Sequence, residues 1–428
     1  MKKFTLLLII CLFILPSIFA DEEEFEGFND EPKTFRIGDR AFEIGFNAGV
    51  NLSNDFLSID EIFREVLVIN IDNLNKGFKI NLGVNASPFY FKVNPRHNKW
   101  GFGLFTKIDA VGAFDLNGAL LSFSEASKAE SDVGAAAFAL VGAEGFFHIF
   151  KFKINVNPTL FYPLAYVKRN EFSYRFQNQD EGTYLEIGYD INLYTGINFS
   201  TFPNQLEITS SPGLDLSVGV EFPLAKELGI SKILPFLDFD VGVNFQSIPI
   251  VPSTVRDYIN VKGKLGLFDE DGNSKPIDFS SMGDDSESGF GKDFFTNKMR
   301  STRDEEDPLP MGNENAIRPF KMIVWAAWRP LGSELLTLTP MVGFAISPQY
   351  SVELGSLEAG LKARLSLANL FILTAGICHE DRIWRNSLDM ALNFHAIEFN
   401  IGVQLQSPDF LKSWGSGLGV NIGLKFGW

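Results

Sequence analysis

The feature that most constrains this chain is strict two-residue alternation, sustained over long stretches and repeated along most of its length. "YLEIGYDINL" sets Leu185, Ile187, Tyr189, Ile191 and Leu193 against Glu186, Gly188, Asp190 and Asn192. "LDLSVGVEF" sets Leu214, Leu216, Val218, Val220 and Phe222 against Asp215, Ser217, Gly219 and Glu221. "FLDFDVGVNFQ", "LEAGLKARLSL" and "IEFNIGVQL" repeat the pattern, and the chain closes on it with "GSGLGVNIGLKFGW". A period of two is the mark of a strand with one apolar face. Fifteen such segments can be marked: 42–52, 77–91, 100–115, 133–147, 152–167, 184–199, 213–224, 235–248, 318–329, 335–347, 357–367, 370–379, 387–394, 397–406 and 417–428. Most are longer than the five or six residues about which ordinary strands centre. They match the roughly 9–11 residues that a tilted strand needs to cross a bilayer.

The connections sharpen this expectation. In the second half, tight links near 331–333, 368–369 and 394–397 alternate with longer ones at 348–356, 380–386, 407–416 and 249–317. All the tight turns therefore fall at one end of the sheet, as in transmembrane barrels with short periplasmic turns and long external loops. Alternation alone fits an exported β-sandwich equally well, because each strand of a sandwich also has one apolar face. Long strands and segregated loops together favour an all-β chain folded as a transmembrane antiparallel β-barrel.

Parity leaves the strand count open at 14 or 16. Fifteen is odd, and bacterial single-chain barrels have even counts. Alternation of Phe172, Tyr174 and Phe176 offers a sixteenth strand at 171–177. Setting 42–52 aside as a plug segment leaves 14.

The other end of the chain predicts its compartment. Lys2 and Lys3 precede "FTLLLIICLFIL" and a small residue at Ala20, which reads as a secretory signal peptide over 1–20. Its loss takes the net charge from −16 to −18, since two lysines go. A balance so acidic argues against nucleic acid as a partner. Only Cys378 then remains, so no disulfide framework is expected. Residues 21–41 read as a periplasmic or plug segment, and 42–428 as the barrel. "NDFLSIDEIFREVL" carries Ile59, Ile62, Phe63 and Val66 at helical spacing, which predicts a short helix in a loop or plug. Residues 269–307 hold twelve Asp/Glu and five Lys/Arg, which predicts a mobile acidic loop within 249–317.

The C-terminal strand carries a resemblance. It resembles the last strand of Gram-negative outer-membrane β-barrel proteins, which finishes on Phe or Trp and is recognised by the barrel assembly machinery. Here that implies an assembly signal at Phe426 and Trp428, with outer-membrane lipid and the assembly machinery as partners. In outline the chain also resembles the long-chain fatty-acid transporter barrels, with about 14 strands and an N-terminal segment able to plug the lumen. No residue-level motif matches that family, so no binding residues carry over. There is a further likeness to barrels of the spirochaete type.

Catalytic constellations do not emerge. His97, His148, His379 and His395 are scattered without metal-ligand spacing. "HED" at 379–381 falls in an expected external loop and reads as solvated. "DEDGN" at 269–273 begins like a calcium loop, but its twelfth position is Ser280, not Glu. No enzyme activity, cofactor or metal is expected. The lumen-facing charges carry more information. Glu186, Asp190, Asp215, Glu221, Asp238, Asp240, Glu398, Lys362 and Arg364 are candidate lumen-lining residues. Counting Glu43, Asp109, Glu144, Glu358, Asp389, Lys79, Lys107, Lys153 and Lys425 as well, acids outnumber bases twelve to six. An open lumen of that kind would prefer cations, whereas pairing among these charges would close it. The expected function is passive transport of a small-molecule solute, either through a porin-like pore or through a hydrophobic-ligand channel. The rival is a surface adhesin or interaction protein acting through 249–317.

Overall fold

A computed structural model describes residues 41–55, 78–94, 100–116, 131–179, 182–197, 208–255, 257–266, 300–303, 314–346, 355–367, 370–380, 382–394 and 396–427. Nineteen strands follow in chain order. The first eight are β1 (Phe42–Asn54), β2 (Phe78–Val93), β3 (Trp100–Leu116), β4 (Ser131–Ile149), β5 (Phe152–Gln179), β6 (Gly182–Thr195), β7 (Gly213–Phe222) and β8 (Asp238–Val251). Four short elements come next: β9 (Ser253–Val255), β10 (Asp257–Gly266), β11 (Arg300–Arg303) and β12 (Glu314–Ala316). The last seven are β13 (Phe320–Arg329), β14 (Leu336–Ile346), β15 (Gly355–Leu367), β16 (Phe371–Glu380), β17 (Ile383–Asn393), β18 (Ile397–Ser407) and β19 (Gly417–Gly427).

Fourteen of these strands close a ring. Antiparallel ladders run β1 to β5 in order, then β5 to β7, β7 to β8, β8 to β13, and β13 through β19. β19 then pairs with β1 from Glu43↔Gly427 to Ser53↔Gly417, which shuts the ring. Closure leaves no unpaired edge, the condition a sheet must meet to stand in hydrocarbon.

The ring resolves the strand count, but by a different route from either sequence alternative. β1 is a wall strand, not a plug. The segment that leaves the wall is β6. β5 runs for 28 residues, and its first part pairs with β7 while its second part pairs with β6. β6 pairs in turn with β10, and β10 with β11. The alternation at 171–177 therefore belongs to the far half of one long strand that leaves the ring and carries β6, β10 and β11 as a side branch of the same sheet. The 249–317 segment is partly strand for the same reason, since β10 and β11 are members of that extension. Residues 267–299 and 304–313 lie outside the described residues, as do 1–40 and 56–77, which hold the predicted signal peptide and helix.

Links are segregated as expected. At one end they are 94–99, 150–151, 330–335, 368–370 and 394–396, and the exception is 223–237, which holds two single-turn helices. The other end carries 55–77, 117–130, 347–354, 408–416 and the extension. One expected long link, 380–386, is a two-residue turn at 381–382 with Arg382 at φ 65°. His379 and Glu380 are thus strand residues, not loop residues.

Burial is inverted relative to a soluble protein. In β19, Leu418, Val420, Ile422 and Phe426 are exposed, while Gly417, Gly419, Gly423 and Lys425 are buried. Exposed apolar side chains recur round the ring, among them Val50, Leu82, Val141, Val342, Leu361, Leu388 and Phe399. Buried polar ones include Glu43, Lys153, Asp215, Glu221, Asp240, Glu358, Glu398 and Asn400. A soluble chain exposing this much contiguous apolar surface would aggregate. Facing lipid, the same surface is the stable arrangement of a transmembrane barrel, and the sandwich alternative falls. β2 departs from the pattern at Pro88. Its register shifts between Ala86 and Phe89, because proline cannot donate to the ladder and a bulge absorbs it.

Candidate functional site

The inner wall is built by one local rule: a large inward side chain lies directly over a glycine on the neighbouring strand. Tyr90 faces Gly45, Phe105 faces Gly142, Phe161 faces Gly213 and Trp325 faces Gly242. A methyl group added at Gly142 or Gly213 would sit 2.2 Å from the opposing phenyl ring. On β18, β19, β1 and β2 the same rule is obeyed by carboxamides. Asn400 faces Gly423, Asn421 faces Gly402 and Asn51 faces Gly83. A methyl group at Gly83 would lie 2.5 Å from the Asn51 amide nitrogen, and one at Gly423 2.5 Å from the Asn400 oxygen. The abundance of Phe and Gly in the composition is thus one structural device, aromatic cover of a bare backbone.

A cavity of about 560 Å³ opens in the barrel. Its lining residues run from mid-strand to the end that carries the long links, and include link residues such as Asp55, Arg318 and Asp409. Asn47, Asn51, Asn81, Asn85, Gln404 and Asn421 supply one side, and Lys107, Asp109, Gln246, Arg318 and Lys321 the other. The acids in the lining are Asp55, Asp109, Asp115, Glu380 and Asp409, and the bases are Lys79, Lys107, Arg318, Lys321, Arg382 and Arg385. Five against six gives no acidic field, so a cation preference does not follow from this cavity. The sequence count missed Arg318, Lys321 and Arg385 because they stand at strand ends, where alternation no longer marks the inward face.

Most of the charges are paired. Arg318 Nη1 donates to Asp215 at 3.0 Å, and Asp215 is 1% exposed. Lys321 Nζ lies 3.0 Å from Glu358, and Arg385 Nη1 donates to Glu380 at 2.7 Å. At the other end of the lumen Arg329 meets Asp240 at 2.5 Å and Asp238 at 3.5 Å. Lys425 there lies 3.5 Å from Glu398, which is fully buried. Glu43 accepts from the Tyr90 hydroxyl beside them. The short-link end of the lumen is therefore packed with paired, buried charge, and the long-link end holds the cavity. Burying unpaired charge would be prohibitive, and pairing offsets that cost.

A second inward element was not foreseen. β9 and β12 pair into a small ribbon. Val255 and Ala316, both fully buried, pack with Ala136, Phe138, Leu140 and Phe161. Phe138 is paired in register with cavity-lining Asp109, and Leu140 with Lys107, so this apolar patch faces the lumen. Ser253 Oγ donates to Ser211 O at 2.5 Å, and the Thr254 amide donates to Ser211 Oγ at 2.8 Å. The ribbon comes from the 249–317 segment, whereas the plug candidates 21–41 and 54–67 lie outside the described residues except for 41, 54 and 55. The run "GAAAFALVGA" at 134–143 carried a signal for this contact. A strand apolar on both faces is covered on both.

The remaining candidates sit as follows. Glu221 is buried on the inner wall of β7, and Lys362 and Arg364 are inward on β15. Glu186 and Asp190 are on β6, in the extension and not in the ring, and their side chains lie outside the described residues. Phe426 faces outward, and Trp428 lies outside the described residues, as do His97 and His395. His148 and His379 are not brought together: His148 packs against Phe146, and His379 against Trp384. Among the described residues no group of His, Cys, Asp and Glu is placed to hold a metal.

No protein-family model matches the chain, and no curated protein matches it. Among solved structures it is similar to the Ralstonia pickettii toluene transporter TbuX, at TM-score 0.44 and 9% identity over 93% of this chain and 92% of that one. It is also similar to the P. putida toluene transporter TodX, at TM-score 0.42 and 8% identity over 90% and 89%. A Pseudomonas aeruginosa FadL homologue matches at TM-score 0.39 and 8% identity over 91% and 90%.

Proposed function

We propose that this outer-membrane-type barrel mediates passive entry of small hydrophilic solutes, with the cavity as its external vestibule. The cavity lining carries the reading. Carboxamides and charges of both signs face the lumen, and a polar wall selects solutes that exchange hydrogen bonds with it. A hydrophobic-ligand channel would present apolar surface to its cargo. The apolar patch on the inner wall of β4 and β5 is instead occupied by the β9–β12 ribbon. The described parts of 249–317 turn into the lumen or join the extension, which favours transport over a free adhesive loop.

Passage needs the paired charges at the short-link end to give way. In planar bilayers the wild-type protein is expected to conduct in small steps. Glu398→Gln, which weakens the Lys425 contact, is expected to enlarge them. If neither protein conducts and neither admits small solutes into liposomes, the transport reading is wrong.

A further inference from the structure

We infer that the cavity holds a binding site for a neutral, polyhydroxylated solute of saccharide type, built by the carboxamide–glycine panel of β18, β19, β1 and β2. The inference rests on the transport reading and specifies its cargo. Four cavity-lining carboxamides, Asn47, Asn81, Asn85 and Gln404, make no hydrogen bond to protein among the described residues. Each therefore offers one acceptor and two donors to whatever fills the cavity.

Register keeps the panel flat. Asn85 faces Gly49, and Gln404 faces Gly419. On that side the amide meets no opposing side chain, while on the other Asn85 stands beside Asp109 and Gln404 beside Ser387. Amides are uncharged, so the panel has no preference for either sign of ion. A hydroxyl both donates and accepts, as an amide group does, so a ring of hydroxyls matches the panel at every position. An apolar ligand would strip water from these amides and return no hydrogen bond. A simple ion would be held by the charges opposite and leave the amides unused.

Calorimetric titration of the refolded full chain in detergent with maltotriose is the direct test. Saturable binding is expected, with Asn85→Leu and Asn47→Leu each weakening it at least fivefold. Asn85→Gln, which keeps the amide, is expected to stay within about twofold of wild type. Unboiled gel mobility reports whether each variant has folded. No binding of maltotriose by the folded wild type, or equal binding by the leucine variants, overturns the site. Liposome swelling with the same sugar separates the two readings. Binding without permeation, in a protein that also fails to conduct, keeps the site and removes transport. Permeation without binding keeps transport and removes the site.

Discussion

Two walls of the lumen lie at the same end of the barrel and are built in opposite ways. The β18–β19–β1–β2 wall is amide over glycine and borders the cavity. The β4–β5–β7 wall is Ala136, Phe138, Leu140 and Phe161, with Phe161 over Gly213, and a ribbon covers it. Both follow the rule of a side chain over a glycine, and only the chemistry of the covering group differs. Between these two walls the inward chemistry follows what stands in front of it, whereas a third inward cluster, Ile323, Trp325, Ala327, Met341 and Cys378, is apolar without the ribbon. Where the cavity is, the wall is polar. Where chain folds back, the wall is apolar, because burial of that surface holds the ribbon.

The largest test of this contrast is Asp215→Ala. It leaves Arg318 facing the ribbon side of the lumen without its carboxylate, and breaking such a buried pair costs about 3–5 kcal/mol. Urea unfolding in detergent should show that loss, with earlier proteolysis between 249 and 319. A loss below about 1 kcal/mol, the range of exposed pairs, would mean that the pair does not anchor the ribbon.

Next comes a matched pair of overpacked glycines. Gly213→Val drives a methyl group into the Phe161 ring, which the ribbon holds in place, and should cost about 1–3 kcal/mol. Gly83→Val meets the Asn51 carboxamide, whose side can swing into the cavity, and should cost less. Equal losses would erase the difference between the walls.

Lys79→Ala is expected to do little. Its pair with Asp115, at 3.1 Å, has the lysine half exposed, and exposed pairs contribute about 0–1 kcal/mol. A larger loss in the same unfolding assay would show that rim charges stabilise the cavity wall.

The smallest effect concerns Asp55, just beyond β1. Burial raises its carboxyl above 3.8, against the Lys79 amide and the Lys412 charge, which lower it. The folded chain then holds this proton more tightly than the unfolded one. Its contribution is full below pH 3.8 and is lost as pH rises through the raised value. Asp55→Asn should flatten stability across that acidic window and leave the Lys79 amide its acceptor. A steeper pH dependence in the variant would reverse the assignment.

Much of the wall was legible in the sequence. Fourteen of the fifteen alternating segments are wall strands, and their exposed and buried faces follow the two-residue period, because the chain's own pleat sets which side chains share a face. The candidate site was less legible. Asp215, Asp238, Asp240 and Glu398 could be named as inward, but their partners Arg318, Arg329 and Lys425 come from other strands. The carboxamide panel was in plain view as Asn and Gly at alternate positions of 47–51 and 417–423, yet its meaning depends on register. An amide lies over a glycine only when two strands pair with that offset.

By itself, then, the sequence determined an all-β chain with one apolar and one polar face on most strands, short turns at one end, and an outer surface suited to lipid. Tertiary structure alone decided which strand leaves the ring, which loop enters the lumen, and which charges meet. Alternation in β6 is the same as in β7, and only the partner differs: β6 pairs with the far half of β5, β7 with the near half. A period of two records that a strand has two faces. Which neighbour it takes, and so what those faces meet, is set by ladders between residues far apart in the chain.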